Sequence, residues 1–136
     1  MIEFPRRWQI YAYTSRRGVS VIQDWASAIK GDKDLLARLN QKLDLLEANG
    51  SDLPTGLLAG TSFRNVDKLK IFGRRQTWRI MVCKGPISND LEFTLLYAAR
   101  EKDRKLIPPD AYKQADDNRK RIIADPTRRR IHERIS

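Results

Sequence analysis

A chain of 136 residues has room for one domain with a real core and too little for two ordinary ones. Its 27 Lys and Arg against 17 Asp and Glu give a formal net charge of +10, which predicts attraction to a polyanion, with nucleic acid ahead of an acidic protein or an anionic membrane surface. No apolar run approaches the roughly 18 residues of a membrane span, and the first residues lack a signal-peptide apolar block.

The single cysteine, Cys83, cannot form an internal disulfide, which fits a reducing cytoplasm. Trp8–Thr14 alternates and is rich in aromatics, which predicts a first strand, placed at a sheet edge. Ser20 with Gln23 three residues on has the form of a capping box. Val21, Ile22, Trp25, Ala28 and Ile29 then fall on one face of a helix that Gly31 stops. Asp32 caps a second helix with Leu35, Leu36, Leu39, Leu43 and Leu46 as its apolar stripe and Gly50 as terminator.

Residues 51–60, with Pro54, Gly56 and Gly60, read as a connector. Three strand-like runs follow, at about Arg64–Phe72, Gln76–Lys84 and Leu91–Arg100, joined by short turns that predict an antiparallel meander. Pro108-Pro109 opens a third helix carrying Ala111, Ala115 and Ile122. Asp125-Pro126 reads as the start of a further short helix within a basic tail, 125–136. The order β-α-α-β-β-β-α predicts an α+β domain over residues 1–124, an antiparallel sheet with helices on one face.

Side-chain alternation sorts the faces of that sheet. Leu69, Ile71, Trp78, Ile80 and Val82 are expected beneath the helices, which leaves Lys68, Lys70 and Arg79 on the open face. Phe93, Leu95, Tyr97 and Ala99 oppose Thr94, Leu96, Ala98 and Arg100, so Arg100 is expected to join the three cations. A single bulge would reverse that assignment. An arginine such as Arg79 inside a central strand needs either a structural partner or a polar groove. Glu101 and its neighbours up to Lys105 read as a solvated mixed-charge loop.

His132, the one histidine, lies in the tail and is expected at the surface, so no paired-histidine mechanism is available. No zinc spacing, phosphate-cradling glycine loop or converging carboxylates are visible, so neither metal nor cofactor is expected. Any chemistry would fall to Lys and Arg.

Three stretches together resemble the RelE/ParE superfamily, nearest its HigB-like, phage-derived branch. They are Arg17-Gly18-Val19-Ser20-Val21-Ile22-Gln23-Asp24-Trp25, then Lys68-Leu69-Lys70-Ile71 with Trp78-Arg79-Ile80-Met81-Val82, and Leu95-Leu96-Tyr97-Ala98-Ala99-Arg100-Glu101-Lys102 before a Pro-led helix. The resemblance covers roughly residues 8 to 122 and rests on order and spacing. It implies a RelE-like compact fold and the toxin of a type II toxin–antitoxin system. Such a toxin is a hydrolase that inhibits translation, cutting messenger RNA on the ribosome without metal. Its partners would be a cognate antitoxin, a small helix-turn-helix protein, together with ribosome and mRNA, and no membrane.

Carried over, Lys68 and Lys70 match the family's basic pair and supply the base, and Arg79 matches its phosphate-binding arginine. Arg100 matches the basic residue ending the last strand and, with Lys102, would assist the leaving oxygen. Further RNA contacts are expected from Arg74, Arg75, Lys84 and Lys105 and from Arg128, Arg129 and Arg130. No tyrosine stands where some members keep one near the C-terminus. The tail admits two readings: added affinity for RNA, which three consecutive arginines favour, or a helix packing Ile131 and Ile135 on the domain. The whole basic face admits a second reading too, as a non-catalytic nucleic-acid-binding module or an inactive toxin homologue.

Overall fold

The computed structural model describes residues 8–29, 31–50, 58–73, 76–88 and 91–135. Among them the chain forms three α-helices and a seven-stranded, mostly antiparallel sheet. The order is β1 (Gln9–Tyr13), α1 (Val21–Ala28), α2 (Lys33–Asn49), β2 (Leu58–Gly60), β3 (Asp67–Phe72), β4 (Thr77–Lys84), β5 (Glu92–Lys102), β6 (Lys105–Ile107), α3 (Ala111–Ala124), and β7 (Arg129–Ile131) after a 3-10 turn at Pro126–Arg128.

Local signals set the helix boundaries. The Ser20 hydroxyl accepts from the Gln23 amide at 3.3 Å, and Asp32 accepts from the Leu35 amide at 3.0 Å, each satisfying a donor left over at a helix start. Gly50 ends α2 at φ 56°. A side chain there is barred twice: by that left-handed backbone and by the Trp8 indole, 1.8 Å from where a Cβ would stand.

The sheet runs β2-β3-β4-β5-β1-β7, with β6 paired to the end of β5. The meander β3-β4-β5 forms as expected from its short turns. The first strand does not lie at an edge. It runs parallel to β5 on one side and antiparallel to β7 on the other, and both of its faces meet a core: Ile10 and Ala12 enter one, Tyr13 the other.

Nor do the helices share a face. Helices α1 and α2 bury Leu35, Leu39, Leu46, Leu69, Ile71, Ile80 and Leu95 on one side. Helix α3 lies on the other, setting Ala111, Ala115 and Ile122 against Met81, Cys83, Leu96 and Ala99. Its apolar stripe needs an apolar floor, and the alternate residues of β4 and β5 supply one.

The connector ends in strand β2, paired with β3, and the tail opens with the expected short helix, a 3-10 turn capped by Asp125, before strand β7. Beyond β7, Ile135 is buried at 9% exposure. Asn40 clamps its backbone, donating to the Ile135 carbonyl at 2.7 Å and accepting from its amide at 3.4 Å. Of the packing reading, Ile135 packs on the domain as expected, whereas Ile131 is 55% exposed.

Candidate functional site

Alternation in β3 sends Leu69 and Ile71 beneath α1 and α2 and leaves Lys68 and Lys70 on the α3 side. Lys70 stands directly across from Arg79, and Arg79 across from Ala99, so cross-strand pairing sets these two cations side by side. Thr77 faces Glu101, which places the Glu101 carboxylate diagonal to Arg79 and within reach. Arg79 donates to both carboxylate oxygens, from Nε at 2.8 Å and Nη2 at 2.7 Å. Lys70 Nζ lies 4.0 Å from the same carboxylate.

Helix α3 closes the group. Pro108-Pro109 turns the chain, Ala111 is buried, and the next residue, Tyr112, meets the cations. Its hydroxyl accepts from Arg79 Nη1 at 2.5 Å, and Lys68 Nζ stands 5.9 Å from its ring centre. The Arg79 and Glu101 side chains are only 15% and 13% exposed. Burial pulls the Arg79 pKa down, but the hydrogen bonds to Glu101 and Tyr112 outweigh it and hold the guanidinium above its ordinary value. Three cations thus gather around one carboxylate and one phenol, beside a cleft of about 740 Å³ lined by Arg79, Lys102, Arg104, Lys105, Leu106 and Tyr112.

A two-residue turn builds the rim of that cleft. Asp103 and Arg104 both take positive φ, 52° and 65°, the signature of a tight hairpin turn between Lys102 and Lys105. Neither residue is glycine, so each costs about 1 kcal/mol or more, and the pairing of β5 with β6 sustains the strain. The charged run expected as a loop is therefore a hairpin, and it holds Lys102, Arg104 and Lys105 at a fixed edge.

Arg100 does not join Lys68, Lys70 and Arg79. The register between β4 and β5 shifts between Met81 and Val82, opposite Leu96. The bulge reverses the alternation of the rest of β5. Arg100 stands across from Trp78, on the α1 side of the sheet, where Nη1 reaches Gln76 Oε1 at 3.5 Å. Lys102 and Lys105 are exposed and line the cleft. Lys84 is exposed at the far end of β4, with Nζ 5.3 Å from the Trp8 ring centre. Arg74 and Arg75 lie outside the described residues.

Two of the three consecutive tail arginines are occupied by the fold, and Arg134 further on pairs with Asp44 at 3.0 Å. Arg128 donates to the Tyr13 hydroxyl at 2.5 Å and the Thr14 carbonyl at 3.2 Å. Arg129 pairs with Glu92 and lies 3.9 Å from the Tyr11 ring centre. Arg130 is exposed.

His132 is half-buried rather than fully exposed: both ring nitrogens are buried, with no hydrogen-bond partner among the described residues. Burial, helped by nearby Arg130, pushes its pKa down to about 4. Among the described residues no cluster of three or more His, Cys, Asp and Glu could hold a metal ion, and no helix is long and apolar enough to cross a membrane.

Glu101 and Tyr112 are the members of this group that sequence reasoning left out. The β5 bulge hides the face of Glu101, and Tyr112 is selected only by the start of α3. The signal that could have found Glu101 is Arg79 itself, since a cation inside a central strand calls for a carboxylate one strand away. No protein-family model, curated protein or solved structure matches this chain.

Proposed function

We propose that this chain is the toxin of a type II toxin–antitoxin pair, a metal-independent endoribonuclease that cuts messenger RNA on the ribosome in the cytoplasm. The observation that carries the reading is the placement of Lys68, Lys70 and Arg79 on one sheet face, with Glu101 and Tyr112, beside the 740 Å³ cleft. A first strand running parallel to the last strand of an antiparallel meander is consistent with the RelE-like fold that the sequence motifs suggest.

In this mechanism a ribose 2′-hydroxyl attacks its own 3′-phosphate. The O2′ proton passes to Glu101 in place of the lysines, because each carboxylate oxygen keeps a lone pair beyond the one that Arg79 uses. The O2′–P bond forms and the P–O5′ bond breaks, leaving a 2′,3′-cyclic phosphate and a free 5′-hydroxyl. Arg79, Lys68 and Lys70 neutralise the charge that grows on the phosphoryl oxygens. Tyr112 accepts from Arg79, so its own O–H is free to protonate the leaving oxygen, with Lys102 nearby in the same cleft. The ribosome supplies the in-line geometry that a free chain lacks. The partner that silences the cleft is a small helix-turn-helix antitoxin with an acidic segment, drawn by complementary charge.

The bidentate Arg79–Glu101 pair also favours a second reading, a nucleic-acid-binding module without catalysis, in which that pair is purely structural. Induced expression followed by mapping of 5′-hydroxyl ends on translated messages separates the two. The nuclease reading expects growth arrest and cut messages, both lost in Arg79→Ala and in Lys68→Ala/Lys70→Ala, while the variants stay folded. Messages left intact by the unaltered protein, or toxicity undiminished in the double-lysine variant, would overturn it.

A further inference from the structure

We infer that the α1 side of the sheet carries a second phosphate subsite, centred on Arg100, for the same single-stranded RNA. The inference rests on the RNA reading of the first cleft and extends it around the sheet end, past Thr77 and Glu101, to Arg100.

Arg100 lines a separate cleft of about 660 Å³ with Gly73, Gln76, Thr77 and Lys102. The residue is half-buried, and its one polar partner among the described residues is the neutral Gln76 side chain, at the outer limit of a hydrogen bond. Arg79 and Arg129, by contrast, each hold a glutamate. Glu101 and Asp103 border the cleft, yet neither pairs with Arg100. An arginine that no carboxylate holds among the described residues has guanidinium donors free for an arriving phosphate.

The two clefts meet at the tip of the β5–β6 hairpin, where Lys102 and Asp103 line both. An extended strand can lay one phosphate on Arg79, pass over Lys102, and lay a later one on Arg100. The Arg100 cleft is lined by glycine, polar and charged residues, which suits a sugar-phosphate chain better than the apolar anchors of a protein partner.

Titration of a fluorescent dinucleotide and octanucleotide RNA against the full chain, over a range of salt, tests this. Arg100→Ala is expected to weaken the octanucleotide about tenfold and to flatten its salt slope by about 0.7, with dinucleotide affinity and melting unchanged. Gln76→Glu, which supplies the missing counter-ion without removing the arginine, should do the same. Octanucleotide affinity unaltered in both variants overturns the subsite.

Equal loss for dinucleotide and octanucleotide would also overturn it, because Arg100 would then belong to the first cleft. So would a defect confined to binding an acidic protein partner. If the unaltered chain binds neither RNA, the RNA reading itself falls and takes the subsite with it. If Lys68→Ala/Lys70→Ala loses the dinucleotide while Arg100→Ala binds the octanucleotide normally, only the subsite falls.

Discussion

Strand β5 begins with one glutamate and nearly ends with another, and each holds an arginine. At the start, Glu92 accepts from Arg129 and from the Ser88 amide, and Tyr11 stacks on the guanidinium. Those side chains are 7% and 11% exposed. At the other end Glu101 takes both of its bonds from Arg79, with Lys70 at 4.0 Å and Tyr112 on the guanidinium's third donor. The residue types match; the surroundings do not. The Glu92 pair is sealed between a ring and a strand pairing, whereas the Glu101 pair borders a cleft with spare cations. An ion pair reveals its role by what it opens onto, and burial alone would rank the two alike.

The comparison can be broken most forcefully by removing the tail. Truncation after Ala124 deletes β7, Arg129 and the Ile135 anchor together. It is expected to cost about 5 kcal/mol or more, the sum of a stranded buried glutamate and a lost core side chain. Denaturant titration checks this. Unchanged melting with lost RNA affinity would restore the affinity reading of the tail.

Single substitutions sharpen it. Arg129→Ala strands Glu92 and is expected to cost about 3–5 kcal/mol of stability. Arg79→Ala should cost less, about 1–3 kcal/mol, because Lys70 stays beside Glu101 and water can enter from the cleft. RNA binding should rank them in the opposite order. A larger stability loss from Arg79→Ala than from Arg129→Ala would make the Glu101 pair the structural one.

The smallest effect concerns pH. His132 keeps its proton less well when folded, with a pKa of about 4 against 6.5 for the free side chain. Between those values the unfolded chain binds a proton that the folded chain refuses, so stability falls as pH drops through that window and is flat above it. From about pH 7 to about pH 5 the loss is on the order of 2 kcal/mol, and His132→Gln should remove it. Parallel stability curves for the two proteins over that range would show that the imidazole does not titrate with unfolding.

Much of this architecture was legible because its signals are local. Ser20, Asp32 and Gly50 bound their helices by capping chemistry that acts within a turn. The alternation of Lys68, Leu69, Lys70 and Ile71 named its own two faces. What stayed hidden depends on distant segments. Arg129-Arg130-Ile131 has no strand pattern, and becomes a strand only because β1 offers it an edge. Arg100 and Glu101 exchanged faces through one shifted residue at Met81/Val82, which no side-chain pattern announces. The buried faces of Met81, Cys83 and Leu96 were visible as apolar residues on the side supposed to be open, and they were the one available hint that α3 lies there.

The seating of β1 sets an order of events as the chain is made. Its partners are residues 92–95 and 129–131, so β1 must wait for segments far down the chain. The meander of β3, β4 and β5 closes from adjacent segments and needs no such wait. Pairings of large sequence separation are slow to form, and until they do, Ile10 and Ala12 lack the Phe93 and Leu95 side of their core. The basic cleft takes nothing from β1 or β7. Its cations are therefore held by the meander, the β5–β6 hairpin and α3, and loss of the β1–β7 pairing should leave their geometry in place.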